Sequence, residues 1–270
     1  MQDSVNDSLF GIKPLVAVGL LVVFWIWESV HPFIGHGARR WRHAARNLTL
    51  AAVSAGVLAV AFGTVTVSVA EWTAWQRIGL LHVLDLSDSV TFAVALALLD
   101  GWLYLWHRAN HWVPFLWRFH RMHHSDDHMD VTTATRFHLG ELVLSAGLRL
   151  LLIPLLGLSL WQLVVYDLIQ LAASQFQHAD ISLGRGDRWL RWLIVTPAMH
   201  KLHHSRVSSE MNSNYAVGLS IWDRLAGSFR LRSDVREVDF GLDDFKDPQW
   251  QTIGGMLRTP LASSDRKPQR

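Results

Sequence analysis

The 270-residue chain has no cysteine. That excludes disulfides and thiolate metal sites and leaves the compartment open. Charge is scarce, at 18% of residues, where a soluble domain carries about a quarter. Lysine is rare among the basic residues, and the formal net charge is only +2. With no lysine-rich patch and no nucleic-acid motif, a nucleic-acid partner is not expected. Tyrosine is sparse too, with 3 copies against 14 tryptophans. Tryptophan favours the membrane–water interface, where its ring is half apolar and half polar. What remains is apolar: 50% hydrophobic residues and a mean hydropathy of +0.17. The composition points to a membrane protein.

Three apolar runs are long enough to read as spanning helices, since a crossing needs about 20 apolar residues. They are Pro14 to Val30, broken by Glu28, then Leu48 to Ala70 without a charge, then Val90 to Trp106 with Asp100. The first lacks a basic lead and a small-residue cleavage site and reads as a retained anchor. Leu142 to Gln177 is too long for one helix. Pro154 and the stretch from Gly157 to Ser159 divide it into a helical hairpin whose halves are short for a full crossing. Its Arg149 and Asp167 are expected to face protein or water, because charge in lipid is costly. Arg39, Arg40, Arg42 and Arg46 lie between the first two runs, whereas Glu71, Asp85 and Asp88 dominate the next connection. The positive-inside rule then puts the arginine segment in the cytoplasm and Met1 outside, and every histidine cluster ends on the cytoplasmic face with Arg270. The location expected is a multi-pass inner-membrane protein. The domains expected are residues 1–89 as anchor helices, 90–245 as the domain that bears the histidine clusters and 246–270 as a polar C-terminal tail.

The chain holds 15 histidines, ten of them from His107 to His204 apart from the off-pattern His128. "HRMHHS" at His120 returns as "HKLHHS" at His200. Residues three and four apart share a helix face. His107 with His111, His120 with His123 and His124, and His200 with His203 and His204 can therefore each aim imidazoles at one point. Eight imidazoles are too many for one ion and suit two ions with open positions; iron, zinc, copper and nickel all accept imidazole. His31, His36, His43 and His82 are isolated and read as interfacial polar residues. Asp100 is placed to orient a ligand imidazole or to pair with a buried arginine. Glu141 is placed to hold Arg136 or a ligand.

These residues resemble the fatty acid hydroxylase/sterol desaturase superfamily of membrane oxygenases. The resemblance runs through "DGWLYLWHRANH", "LWRFHRMHHSDDHMDVTTATRFHLGE", "FQHADI", "TPAMHKLHHS", "NSNYAVGLSIWDRLAGSFR" and "FGLDDF", from Asp100 to Phe245. It is closest to stand-alone bacterial members without a fused cytochrome b5 domain. It implies an all-α membrane bundle of about three spanning helices plus a hairpin, capped by a histidine-rich helical site for two iron ions. It carries the ligand role onto His107, His111, His120, His123, His124, His200, His203 and His204, adds His178 after the hairpin, and points to His138. The segment around His138 departs from the family pattern in having Leu139 for proline, and Ala226 stands where phenylalanine is common. The implied reaction is O2-dependent hydroxylation of a lipid C–H bond, with electrons from a separate ferredoxin or cytochrome. Zinc can take the place of iron in purified protein, since it binds nitrogen sites at least as well. Desaturation is the alternative outcome, and oxidation of an ether lipid a further one. A metal-binding membrane protein without catalysis is the reading from a different class. Metal transport fits less well, because the ligands gather at one face and not at mid-bilayer.

Overall fold

The computed structural model describes residues 2–35, 39–84 and 86–263, with side chains from residue 11 onward. His36, Asp85 and both chain ends lie outside the described residues. Among those described, the chain is helical, and the only β features are isolated bridges such as Pro32 with Ile181. Helix α1 covers Gln2–Val30, α2 Arg40–Gln76, the short α3 Leu80–Val83 and α4 Asp88–Trp112. The next are α5 (Pro114–His124), α6 (Leu139–Leu156) and α7 (Leu160–His178). Five short helices follow: α8 (Asp187–Leu190), α9 (Pro197–His203), α10 (Ser208–Met211), α11 (Ile221–Leu225) and α12 (Ile253–Arg258).

Among the described residues, four segments are long and apolar enough to cross a membrane: Gly11–Val30, Arg40–Val83, Asp88–Trp112 and Leu139–Leu156. The protein is therefore a multi-pass membrane protein. Three of these were legible as runs. The fourth, α6, extends beyond the expected half-hairpin because Pro154 lies within it. The helix stops instead at Gly157, whose φ of 80° supplies the left-handed C-terminal turn that a side chain resists. The bilayer-facing surfaces stay bare, as with Val60 at 89% and Leu15 at 72% exposure. That exposure is expected where lipid is the solvent.

The arginine segment also differs from expectation. Arg40, Arg42 and Arg46 are not in a loop but form the first turns of α2. At 37 residues, α2 is about 55 Å long, well beyond a hydrocarbon core of about 30 Å. Its basic end therefore extends past the hydrocarbon core, beside the histidine helices.

Packing arises from the apolar faces of the long helices. Leu99 of α4, Ile153 of α6 and Leu163 and Tyr166 of α7 form one buried cluster. Leu21, Phe24 and Trp25 of α1 pack on Phe176, Val131 and Ile181. Arg149 and Asp167 pair at 2.7 Å across the hairpin, so neither charge faces lipid alone. Glu28 is fully buried. It accepts from the backbone N–H groups of Val131 (3.1 Å) and Asp180 (2.8 Å) and pairs with Arg40 at 2.7 Å. This acid in an apolar run thus ties α1 to the cap.

The C-terminal segment packs on the same cap. Leu242 and Phe245 cover Trp117 and Met211, and Met256 meets Leu50 and Met122. Arg121 donates to the carbonyls of Thr259 (3.0 Å) and Ala262 (2.7 Å). Part of the expected tail is therefore built into the structure around the second histidine cluster.

Candidate metal centre

Each histidine cluster sits in the closing turns of its helix: His107 and His111 on α4, His120, His123 and His124 on α5, His178 on α7, and His200 and His203 on α9, with His204 as its C-cap. Helices α5 and α9 both begin on a proline at the first turn, Pro114 and Pro197, where the missing N–H costs nothing. Four helix C-termini thus converge. Each carries about half a negative charge from its unpaired carbonyls, which suits a cationic occupant held by neutral ligands.

The convergence produces two buried groups. His107, His111, His120, His124 and His203 form one, and His123, His178, His200 and His204 form the other. Within each group one ring nitrogen per residue lies within 4.8 Å of all the others. Neighbouring members of the doubled box thus go to different groups. His123 joins the second and His124 the first, because consecutive residues on a helix point about 100° apart.

Hydrogen bonds fix several rings. His107 Nδ1 donates to the Tyr215 carbonyl (2.7 Å), His203 Nδ1 to the Ser213 carbonyl (2.6 Å) and His178 Nδ1 to the Ser174 carbonyl (2.7 Å). His120 Nδ1 donates to Glu141 Oε1 at 2.9 Å. A carbonyl oxygen can only accept, so a neutral ring held this way has a bare Nε2. Burial keeps His203 neutral, pushing its pKa down to about 3. Burial likewise pushes His123, His124, His200 and His204 well down. Neutral imidazole is the form that ligates metal.

The fit to a metal can be tested on this arrangement. His107 Nε2 and His203 Nε2 face each other at 3.1 Å. With both Nδ1 protons committed to carbonyls, neither Nε2 has a hydrogen to offer, and two lone pairs repel. A cation between them removes the conflict. Two nitrogens at about 2.1 Å from one ion and at right angles stand about 3.0 Å apart. His120 Nε2, both nitrogens of His124 and His204 Nε2 are also buried without a partner. Such orphaned polar atoms are rare in native interiors, and the set of imidazole nitrogens fits a metal ion.

The other expected residues fall elsewhere. His138 is not brought to either group. It caps α6, accepting from Gly140 N–H at 2.9 Å and facing the Leu257 carbonyl at 3.2 Å. Glu141 takes the second of its two expected partners, a histidine. Asp100 does not touch a histidine. Seven residues place it about 10 Å along the axis from His107, and it accepts instead from Leu219 N–H (2.9 Å) and Trp222 Nε1 (2.8 Å). Its effect on His107 runs through the 213–223 segment that supplies the Tyr215 carbonyl. Asp223 grips the same segment through the N–H groups of Tyr215 (2.8 Å) and Ala216 (3.0 Å).

Three further residues were not foreseen. Asn214 has a φ of 52°, a left-handed turn that asparagine tolerates. It lies between the two carbonyls that hold His203 and His107. Its side chain bonds the carbonyls of Met199 (3.1 Å) and Arg230 (2.9 Å). His43, read as isolated, reaches across from α2 to Asp126 at 2.8 Å and Asp130 at 3.1 Å. Lys201, inside the third box, is fully buried and pairs with Asp180 at 3.4 Å. The polar residues were visible in the sequence, but no local spacing links them.

A narrow gap of ≈ 60 Å³ opens beside both groups. Leu103, Trp106 and Asn110 line it from α4, and Gln170, Ser174 and Gln177 from α7. Both sets follow helical spacing and form facing stripes.

The profile of the fatty acid hydroxylase family matches residues 92–228. The chain belongs to this family. Among curated relatives, the ornithine lipid hydroxylase OlsE of Rhizobium tropici is 32% identical over 155 residues, 57% of this chain and 46% of its own length. The alkylglycerol monooxygenase of Xenopus tropicalis is 27% identical over 213 residues, 77% of this chain and 44% of its own. The cholesterol 25-hydroxylase of Rattus norvegicus is 26% identical over 161 residues, 57% of this chain and 51% of its own. The match thus spans about half the length of these hydroxylases. No solved structure matches the chain. The stretch matched by the family profile contains all nine histidines of the two groups.

Proposed function

We propose that this protein hydroxylates a C–H bond of a membrane lipid with O2, using two iron ions held by the nine grouped histidines. The observation that carries this reading is the pair of adjoining groups, five and four imidazoles, with bare nitrogens facing each other. Membership of a hydroxylase family and three hydroxylating or monooxygenating relatives support it. When bound, the iron pair supplies the activation of O2 that an unactivated C–H bond requires.

The chain's own part is to place and protect. The carbonyls of Ser174, Ser213 and Tyr215 and the Glu141 carboxylate hold four imidazoles in one tautomer. The gap between α4 and α7 is the approach for the lipid, since it joins the apolar helices to both groups. Leu103, Trp106 and Phe137 along it exclude water from the reacting carbon. Asn110 and Gln177 have buried side-chain oxygens without partners and are placed to hydrogen-bond a polar part of the lipid. Electrons come from a separate redox protein, and the histidine cap lies on the cytoplasmic side of an inner membrane.

Comparative lipidomics of a deletion strain and its complement tests the reading. A product heavier by one oxygen atom is expected, together with two irons per chain in iron-supplemented protein. A product lighter by two hydrogens would assign desaturation. An unchanged lipid profile with metal bound would assign a non-catalytic metal protein.

A further inference from the structure

A second cavity lies outside the metal centre, at the basic end of α2. Its volume is ≈ 540 Å³, within the range of small-ligand sites. Arg39, Arg40, Arg42, Arg46, Arg136 and Lys246 line it, and Asp127 is the only acid among the described lining residues. Some of this charge is already answered. Arg40 pairs with Glu28, Lys246 with Asp243 at 2.7 Å, and the buried Arg136 stands 4.0 Å from Asp126. Among the described residues, Arg46 reaches only the Gln251 carbonyl, at 3.0 Å. Arg39 and Arg42 have no carboxylate partner among the described residues and are exposed. Cations gathered in a concave wall without matching acids attract an anion, and guanidinium groups suit phosphate oxygens in particular.

The surroundings set the depth. The Arg40 guanidinium stacks 3.6 Å over the Trp25 ring, and Trp25 lies 5.0 Å from Trp41, which is 75% exposed. Tryptophans in this position mark the headgroup level of a bilayer. The cavity therefore opens where lipid phosphates are concentrated. Its back wall is shared with the metal centre. His43 lines the cavity and holds Asp126. Arg136 lines it and donates to the Met122 carbonyl (3.1 Å) and Ser125 Oγ (3.2 Å), on either side of His123 and His124.

We propose that this basin binds a phosphate-bearing anion. The same chemistry is offered by an anionic phospholipid headgroup and by free phosphate. An acidic redox protein is the less favoured occupant, because its carboxylates would meet a recess and not a matching flat face. The proposal is independent of the reaction at the metal centre.

The test uses the full chain in nanodiscs of phosphatidylcholine, with binding and melting measured as inorganic phosphate is added. A parallel series replaces part of the phosphatidylcholine with phosphatidylglycerol. Stabilisation by either is expected for the wild type, and the series that responds identifies the source. Arg39→Gln and Arg42→Gln should each weaken binding about tenfold, the ratio one charge-assisted hydrogen bond supports. Arg185→Gln, an exposed arginine away from the basin, should leave it unchanged. Arg42→Lys keeps the charge and should fall between, which preserves the test if the glutamine variants fail to fold. The proposal is overturned by a wild type that ignores both probes, by equal weakening in Arg185→Gln, or by retention of an acidic ferredoxin with no response to phosphate.

Discussion

A buried imidazole with its Nδ1 fixed on a carbonyl has one free lone pair, and where that lone pair points defines its use. His203 and His123 belong to different groups. His203→Ala and His123→Ala should each abolish turnover and lower metal content, because the neighbouring histidines are already committed. Metal per chain and product measured on the same membranes check this; full metal and full activity in His203→Ala would remove the third box from the site. Glu141→Gln exchanges a charged partner of His120 for a neutral one. It should keep the ions and cost about 10–100-fold in affinity or activity, read as kcat and metal retention against a chelator. His43 makes a different case. It belongs to neither histidine group and binds two buried carboxylates. His43→Ala should keep both ions but lower stability by about 3 kcal/mol, the lower range for a broken buried pair. Thermal melting beside metal analysis separates the two effects.

The element that matters most between helices is the 213–223 segment. It has little regular structure beyond its short α11, yet it presents the Ser213 and Tyr215 carbonyls to histidines of α9 and α4. Asn214 makes this possible by turning left-handed between them. Asn214→Ala loses two side-chain hydrogen bonds to carbonyls and puts a residue poorly suited to positive φ in the turn. It should reduce metal content along with melting temperature. Asn214→Gly, which restores the conformational freedom but not the bonds, should recover part of both. Equal behaviour of the two variants would show that the turn itself is not what holds the carbonyls. The helices carrying the grouped histidines contribute their own ends, since four negative C-termini meet at the two groups.

Across the whole molecule, the nine grouped histidines lie at one end of the apolar helices. Ser87, before α4, and His107 on it are 20 positions apart, about 30 Å of helix, enough to cross the hydrocarbon core. The absence of native cysteine makes the orientation easy to test. A single cysteine at Ser87, which is exposed, should react with a membrane-impermeant maleimide from outside the cell. One at Ser233, exposed on the histidine side, should react only after the membrane is opened. The reverse pattern would place the metal centre on the outer face and overturn the charge-based orientation.

The long apolar runs and the three box spacings could be read without coordinates because their information is local. A helix repeats every 3.6 residues, so His120, His123 and His124 share a face whatever surrounds them. Lipid as solvent likewise demands about 20 apolar residues wherever a helix crosses. Only the tertiary structure decided how the histidines divide, with His203 beside His107 and His178 beside His200. It also moved Asp100 from a histidine to the Trp222 indole and joined His43 to Asp126 across 83 positions. Spacing states which side chains share a face of one helix. It does not state which face meets which, and the hydrogen-bonding carbonyls of the 213–223 segment leave no mark in residue type except Asn214.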